Sequence, residues 1–178
     1  MTPYKAWYDK KKGLFTIQDA KGVPVFKRLL VRSGQRGFLN SPWVRQKGAI
    51  PTNKQVAGGK LYIHTTSIKD PKGDFNNDGI GLFFPISDSL EQTLQIRGLK
   101  DGELREAIGL HPENKWDGSL GCIVLVWWKS KARIEKLFSW LQELNVIAAP
   151  ICFLPEQPFV SQQSAKFSAI WPPNFVLN

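Results

Sequence analysis

A histidine and a cysteine lie close together in a glycine-rich stretch of this chain. His111 comes first, and the segment Ser119-Leu120-Gly121-Cys122 then leads into the apolar run Ile123-Val124-Leu125-Val126. The whole chain has only two histidines and two cysteines, so chance does not favour one of each within so short a segment. A thiolate is a strong nucleophile, and a nearby imidazole accepts the proton of the thiol. The pattern therefore predicts Cys122 as a nucleophile and His111 as its base.

The residues just before Cys122 are suited to stabilise the negative charge that develops on the carbonyl oxygen during such an attack. Gly121 permits a tight backbone, and the successive N–H groups of Leu120, Gly121 and Cys122 are candidate donors to an oxyanion. Ser119 either orients His111 or bonds the backbone of the turn. Both roles of Ser119 remain open at this point.

Two alternatives exist for the cysteine. One is a packed cysteine beside a turn histidine, and the other is a disulfide between Cys122 and Cys152, the single bridge that two cysteines allow. A single bridge adds little to a domain with an ample core. Cys152 lies in the apolar run 149–154, which is typical of a buried strand. We favour catalysis for Cys122 and packing for Cys152.

Further candidates for substrate contact lie both upstream and within the same segment. Tyr62 and His64 alternate along a predicted strand, so both side chains point to one face. They contact substrate, or His64 is an ordinary half-exposed strand histidine. Trp116 and Leu120, between His111 and Cys122, are the other candidate contacts.

No metal or cofactor is expected. The run Asp74–Gly79 has the oxygen spacing and the glycine of a calcium loop. Its twelfth position is Pro85, where a bidentate Glu is required, so the tip of a hairpin is the better interpretation. No set of Cys and His resembles a zinc site, and no glycine-rich loop suits a phosphate.

Length and charge bound the function. At 178 residues with 42% hydrophobic content, we expect a single domain over 1–178, with a core at about 4–154 and a surface-docked tail at 155–178. The net charge of +9 indicates an anionic partner, either nucleic acid or an acidic cell-envelope polymer. The basic residues form no recognisable nucleic-acid-binding signature, so we predict no nucleic-acid partner, and we expect a monomer.

The chain shows no predicted membrane span and no visible secretory signal. Its first twenty residues include six charged ones and lack the apolar stretch that a secretory signal needs. Its longest uncharged apolar run, 122–128, is far too short to cross a bilayer. If the protein acts in the periplasm or cell envelope, we expect a trimmed leader or a secretion route other than Sec to have brought it there.

Apolar periodicity predicts a mainly β fold with one packed helix. Strands are indicated over 4–8, 14–18, 25–32, 60–65, 81–85, 93–98, 108–111, 122–126 and 146–154, the first three forming a meander. Pro150 hints that the last strand is an edge or carries a bulge. Apolar residues at 3/4 spacing predict a helix from about Ser130 to Leu144, and the Gly- and Pro-rich segment 40–51 predicts a long surface loop.

The catalytic segment resembles the YkuD-type L,D-transpeptidase family, whose signature is a His followed by Ser/Thr-x-Gly-Cys and a strand. Here these are His111 and Ser119-Leu120-Gly121-Cys122-Ile123. The segments Val31–Gly37 and Lys47–Thr52 are similar to the family's strand ending in Ser-Gly and to its following turn, and the resemblance covers about 25–127. The family often has a His at the position of Leu120 and an Arg at that of Val124, which identifies this chain as a divergent member.

The resemblance implies a mixed β-sandwich or barrel-like catalytic fold and a cysteine acyl-transfer enzyme that acts on peptidoglycan stem peptides. Cys122 would attack the carbonyl before the terminal D-alanine, and an amine or water would resolve the acyl-enzyme. His111 would act as base and then acid, and amides near Gly121 would hold the oxyanion. Some divergent members are interbacterial effectors with dedicated export. The alternative is a non-catalytic module of the same fold that binds cell wall or polysaccharide.

Overall fold

The computed structural model describes residues 4–35, 37–38, 40–69, 76–77, 79–113, 121–144 and 151–155. Twelve strands, one α-helix and one short 3-10 helix (η1) occur in these ranges. In chain order they are β1 Tyr4–Asp9, β2 Leu14–Asp19, β3 Pro24–Arg32, η1 Asn53–Gln55, β4 Leu61–Ile63, β5 Ile68–Lys69, β6 Asn76–Asn77, β7 Ile80–Ser87, β8 Gln95–Arg97, β9 Leu104–Glu106, β10 Gly109–Pro112, β11 Ile123–Leu125, α1 Trp127–Leu144 and β12 Ile151–Pro155.

Most of the strands belong to one sheet whose hydrogen-bonded path returns on itself. The order is β10-β11-β3-β2-β1-β12-β4-β7-β5, and β10 also pairs with β7, which closes a barrel-like ring of eight strands. Strands β8 and β9 form a separate ribbon of two. The predicted mainly β, barrel-like architecture with a packed helix is confirmed in the described residues.

The core lies on one face of this curled sheet, beneath the helix. Alternate residues of the strands supply it, as the period of two requires, and the apolar stripe of α1 completes it. Among the largest of these fully buried side chains are Phe15, Leu29, Phe84, Leu110 and Phe138. Each buried side chain of this size stabilises the fold by about 1.5–3 kcal/mol.

The helix matches its predicted end and differs slightly at its start. Residues Trp127–Leu144 are helical, but Ser130 interrupts the geometry with φ −151° and ψ 25°. Ser130 is where the apolar 3/4 spacing predicted the beginning. The turn before it is an additional segment that the periodicity does not reveal, because Trp128 is exposed.

The last strand and the 40–51 segment also differ from the prediction. Strand β12 is not an edge: it lies between β1, to which it is parallel, and β4, to which it is antiparallel. Its described residues, Ile151–Pro155, include Pro155, whose Cα partner in β1 is Tyr8. The predicted surface loop 40–51 is also only partly on the surface, because Gly48, Ala49, Ile50 and Pro51 are buried.

Candidate active site

The strand register brings His111 and Cys122 to one face of the sheet. Strands β10 and β11 are parallel, and His111 is the Cα partner of Val124. Cys122 directly precedes β11 and packs in one apolar cluster with Val124 and Phe83. It therefore lies on the same face as Val124 and is the diagonal neighbour of His111. Diagonal positions lie about 7–8 Å apart, within reach of a side chain as long as histidine. The opposite face of these strands carries core residues such as Leu110 and Ile123.

The ring of His111 has a defined tautomer. Its Nδ1 lies 2.7 Å from the carbonyl oxygen of Pro112, which only accepts hydrogen bonds, so Nδ1–H is the donor. The lone pair of the neutral ring therefore lies on Nε2. Burial lowers the pKa of His111 to about 4, against a smaller raising effect of the bond to Pro112. At neutral pH the ring is an uncharged base with Nε2 as its acceptor.

Phe83 fixes the orientation of this ring. The two rings stack with centroids 6.0 Å apart and an interplanar angle of 26°. Phe83 also lies directly over Gly109, where any Cβ would overlap the phenyl ring. A glycine at 109 is therefore what allows Phe83 to lie across β10 against His111.

Cys122 is a free thiol that is only 5% exposed. Burial raises its pKa to about 11, while the backbone N–H of Gly109 and the positive charge of Arg105 oppose that shift. The thiol donates to the carbonyl oxygen of Ala107, with Sγ and O 3.7 Å apart. The resting pair is thus a neutral thiol and a neutral imidazole, which requires a proton transfer at the moment of attack.

Ala107 presents that carbonyl from an uncommon backbone conformation. Its φ is 51°, a left-handed value that a residue with a Cβ adopts at a cost of about 1–3 kcal/mol. Its N–H donates to the carbonyl of Leu94 at 3.0 Å, which helps to hold the turn. Leu94 packs in turn on the small apolar cluster of Phe83, Cys122 and Val124.

Both flanks of the segment between His111 and Cys122 are anchored. On one side the N–H of Glu113 donates to the carbonyl of Leu125 at 2.8 Å, and its carboxylate pairs with Arg32 at 3.0 Å. On the other side the carbonyl of Gly121 accepts from Ser33 Oγ at 3.2 Å. Ser33 Oγ also accepts the N–H of Ile50 at 2.9 Å, which joins the site to the buried end of the 40–51 segment.

Sequence reasoning missed Arg105, which lies beside the thiol. It is 3% exposed although its neighbours Leu104 and Glu106 in β9 are exposed. No sequence signal marked it, because no strand was predicted over 104–106 and the inward position of Arg105 is visible only in the structure. Phe83, Gly109 and Ala107 were also missed as parts of the site, because register rather than composition places them there.

The predicted strand residues Tyr62 and His64 lie on the same face of the sheet as His111, two strands away. Tyr62 is the Cα partner of Ser87, and the N–H of His64 donates to the carbonyl of Pro85 at 2.8 Å. The ring of His64 is committed to a local bond: its Nε2 lies 2.7 Å from Ser87 Oγ. The hydroxyl of Ser87 has one proton, and the carbonyl oxygens of Ser89 at 3.1 Å and Glu91 at 3.3 Å are its acceptors. We therefore assign Nε2–H of His64 as the donor to Ser87.

Removing the Ser87 hydroxyl should destabilise the fold through His64. We expect Ser87→Ala to lower the free energy of unfolding by about 1–3 kcal/mol, because the buried ring of His64 loses the acceptor of its N–H. Urea denaturation measures this. Ser89→Ala is the control, since it removes a neighbouring hydroxyl that His64 does not contact, and an equal loss in both variants would contradict the assignment.

Three of the predicted site residues, Trp116, Ser119 and Leu120, lie outside the described residues, as do Asp74 and Asp78 of the considered calcium loop. Within the described ranges, no group of three or more His, Cys, Asp or Glu side chains is arranged to hold a metal ion. In the same part of the chain, no helix has the length and apolar character needed to cross a bilayer.

Comparisons with known proteins give distant structural likenesses. No protein-family model matches the chain, and no curated protein matches it in sequence. The chain is similar to the structure of Bdellovibrio bacteriovorus Bd1075, with a TM-score of 0.49 and 16% identity over 86% of this chain and 47% of that one. It is also similar to the X-ray crystal structure of an L,D-transpeptidase from Mycobacterium tuberculosis H37Rv, with a TM-score of 0.42 and 11% identity over 88% of this chain and 58% of that one. The chain spans about half the length of these proteins, and likenesses of this size identify neither a family nor an activity.

Proposed function

We propose that this chain is a cysteine acyl-transfer enzyme that acts on peptidoglycan stem peptides, as an L,D-transpeptidase, an L,D-carboxypeptidase or both. The observation that carries the proposal is the pair of His111 and Cys122, diagonal neighbours on one sheet face, with Nε2 of His111 as the acceptor. The Ser-x-Gly-Cys segment, which resembles the YkuD-type family, supports the choice of substrate.

In the proposed reaction, Sγ of Cys122 attacks the carbonyl carbon before the terminal D-alanine. His111 Nε2 takes the thiol proton as the sulfur–carbon bond forms, and backbone amides near Gly121 and Cys122 stabilise the oxyanion. The carbon–nitrogen bond then breaks, and His111 returns the proton to the departing D-alanine amine. An amine of a second stem, or water, then attacks the thioester carbonyl while His111 accepts its proton. The carbon–sulfur bond breaks, and His111 returns the proton to the departing sulfur of Cys122.

The proposed partner is peptidoglycan or a related anionic polymer of the cell envelope, and the proposed site of action is the envelope or periplasm. The net charge of +9 supports a negatively charged partner. Arg32 lies on the site face at 45% exposure, although its guanidinium is paired with Glu113. In this proposal the protein acts as a monomer and needs no cofactor.

A second candidate function is a non-catalytic module that binds cell wall or polysaccharide. One observation favours it: the resting thiol is buried, and burial holds the pKa of Cys122 at about 11. At that pKa only about one thiol in ten thousand is ionised at neutral pH. A binding module would retain affinity for the polymer without releasing any product.

Purified disaccharide-tetrapeptide separates the two functions. We expect the protein to release D-alanine or to form cross-linked dimers, both detected by mass spectrometry, and Cys122→Ala to form neither. Cys152→Ala is the matched control, because it removes the other cysteine, and it should retain product formation.

A carbapenem provides a covalent test of the same nucleophile. We expect one adduct on the intact protein, located on the peptide that contains Cys122, and none on Cys122→Ala. Absence of both adduct and product from the unaltered chain would refute the enzyme proposal, and polymer binding in that case would support the second candidate.

A further inference from the structure

Arg105 is a buried cation that reaches the site from outside the main sheet. It belongs to β9, which pairs only with β8 among the described strands. Because side chains alternate along β9, Leu104 and Glu106 face outward and Arg105 faces inward. Burial lowers the pKa of Arg105, which is the effect expected when a guanidinium loses its hydration.

Backbone carbonyls of the 40–51 segment hold the guanidinium. Arg105 Nη1 donates to the carbonyl of Pro42 and lies 3.4 Å from the carbonyl oxygens of Val44 and of Gly48. Carbonyl oxygens satisfy these donors without neutralising the charge of the group. The guanidinium is therefore fixed in direction while it keeps its positive charge.

The other end of the guanidinium lies against the residue that precedes the nucleophile. Any Cβ at Gly121 would overlap Arg105 Nη2 and would lie 3.0 Å from Arg105 Cζ. This close approach needs glycine, and the φ of Gly121, 114°, is also a value that favours glycine. The cation and the backbone of Gly121-Cys122 are thus packed as one unit.

We propose that Arg105 is a positioning residue for acyl transfer, which holds a fixed positive charge beside Cys122 and favours the thiolate and the oxyanion that form there. This proposal rests on the proposed nucleophilic role of Cys122. A fixed charge in a water-poor site stabilises a developing negative charge without reorganisation at the moment of reaction. The attraction between the two groups lowers the pKa of Cys122 and raises the pKa of Arg105, in each case against a larger and opposite effect of burial.

Ionisation of Cys122 tests the proposal without any peptidoglycan substrate. In a Cys152→Ser background, we expect Arg105→Gln to slow alkylation of Cys122 by iodoacetamide about tenfold at each pH between about 7 and 10, which corresponds to one unit of thiol pKa. Arg105→Lys keeps the positive charge, so its alkylation rate should fall by less than that of Arg105→Gln. Arg97→Gln is the matched control, because Arg97 lies in the same ribbon and pairs with Asp88 at the surface; its rates should equal those of the parent.

Ultraviolet absorbance of the thiolate is measured as the difference from the corresponding Cys122→Ser protein. It distinguishes an effect on the ionisation of Cys122 from an effect on the access of iodoacetamide to the thiol. If the role of Arg105 is purely structural, Cys122 titrates at the same pH in Arg105→Gln as in the parent. The proposed role predicts that Cys122 titrates at higher pH in Arg105→Gln. An unshifted titration in a folded Arg105→Gln protein would overturn the proposal. If that variant does not fold, a shift of a full unit in folded Arg105→Lys would overturn it instead.

The two proposals fail separately. A parent protein that releases no D-alanine, yet shows the Arg105-dependent titration, would overturn the substrate assignment and support the role of Arg105. A parent protein that releases D-alanine, and whose Cys122 titration is unchanged by Arg105→Gln, would support the substrate assignment and overturn the role of Arg105.

Discussion

Replacing His111 by Gln should lower kcat on a tetrapeptide stem by about 10²–10⁴-fold, the contribution expected of a general base. The pKa of Cys122, raised by burial to about 11, leaves almost no thiolate at neutral pH, so attack depends on a base. Nδ1 of His111 is bound to the carbonyl of Pro112, which leaves Nε2 as the acceptor. Single-turnover kinetics with mass detection of the acyl-enzyme measure the effect on the chemical step.

His64→Gln is the matched control for the loss of a buried imidazole. Its ring is also buried, and burial also lowers the pKa of His64, but its Nε2–H donates to Ser87. We expect its kcat to fall less than tenfold. Equal losses in the two histidine variants, or retention of more than a tenth of kcat in His111→Gln, would contradict the assignment of His111 as base.

The pH dependence of kcat/KM in the unaltered chain also tests the assignment of His111 as base. Because burial lowers the pKa of His111 to about 4, the ring stays neutral and able to accept a proton as the pH falls from neutral to about 5. Below about pH 4, kcat/KM should fall tenfold per pH unit, as protonation removes the acceptor. An acid limb at the ordinary pKa of histidine, near 6.5, would contradict this environment for the ring.

Stability must be followed in the same pH range. The folded pKa of His111 lies below its unfolded value, so the unfolded chain binds the proton first as the pH falls. The neutral ring therefore contributes its full stabilisation above about pH 6.5. As the pH falls from there to about 4, the free energy of unfolding decreases by about 3 kcal/mol in all. Circular dichroism at each pH separates this loss of fold from titration of the base.

Local periodicity explains which parts of the fold the sequence could predict. The meander of β1, β2 and β3 and the apolar stripe of α1 depend on residues close in the chain, and both are confirmed. The position of β12 between β1 and β4 depends on pairings far apart in sequence. Alternation of side chains carries no information on the partner strand. Pro150 suggested an edge or a bulge, and the edge interpretation was wrong because β12 is an interior strand.

The site divides in the same way. A motif of adjacent residues singled out Cys122, and a short interval linked it to His111, which the register places on the same face. Arg105 comes from a separate ribbon, and the carbonyls that hold it come from the 40–51 segment. No local pattern connects those segments. The inward position of Arg105 between two exposed neighbours is visible only in the structure, so no sequence pattern marked β9 as part of a site.

Replacing Gly121 by Ala should damage both stability and turnover. The φ of 114° strains any residue with a Cβ, at about 1–3 kcal/mol. The new methyl group would also overlap Arg105 Nη2 and lie 3.0 Å from the carbonyl oxygen of Gly48. The guanidinium or the backbone beside Cys122 must move, and a displacement of about 1 Å in a catalytic group costs about 10²-fold in rate.

Gly22→Ala separates strain from displacement. Gly22 has a similarly positive φ of 81°, in a turn between β2 and β3, and a Cβ there would meet no atom within 4 Å. We expect Gly22→Ala to lower the free energy of unfolding by backbone strain alone and to keep full turnover, whereas Gly121→Ala loses more stability and about 10²-fold in kcat. Urea denaturation and single-turnover kinetics on both variants measure the difference. Equal stability losses, with turnover intact at Gly121→Ala, would mean that the contact between Gly121 and Arg105 does not position the nucleophile.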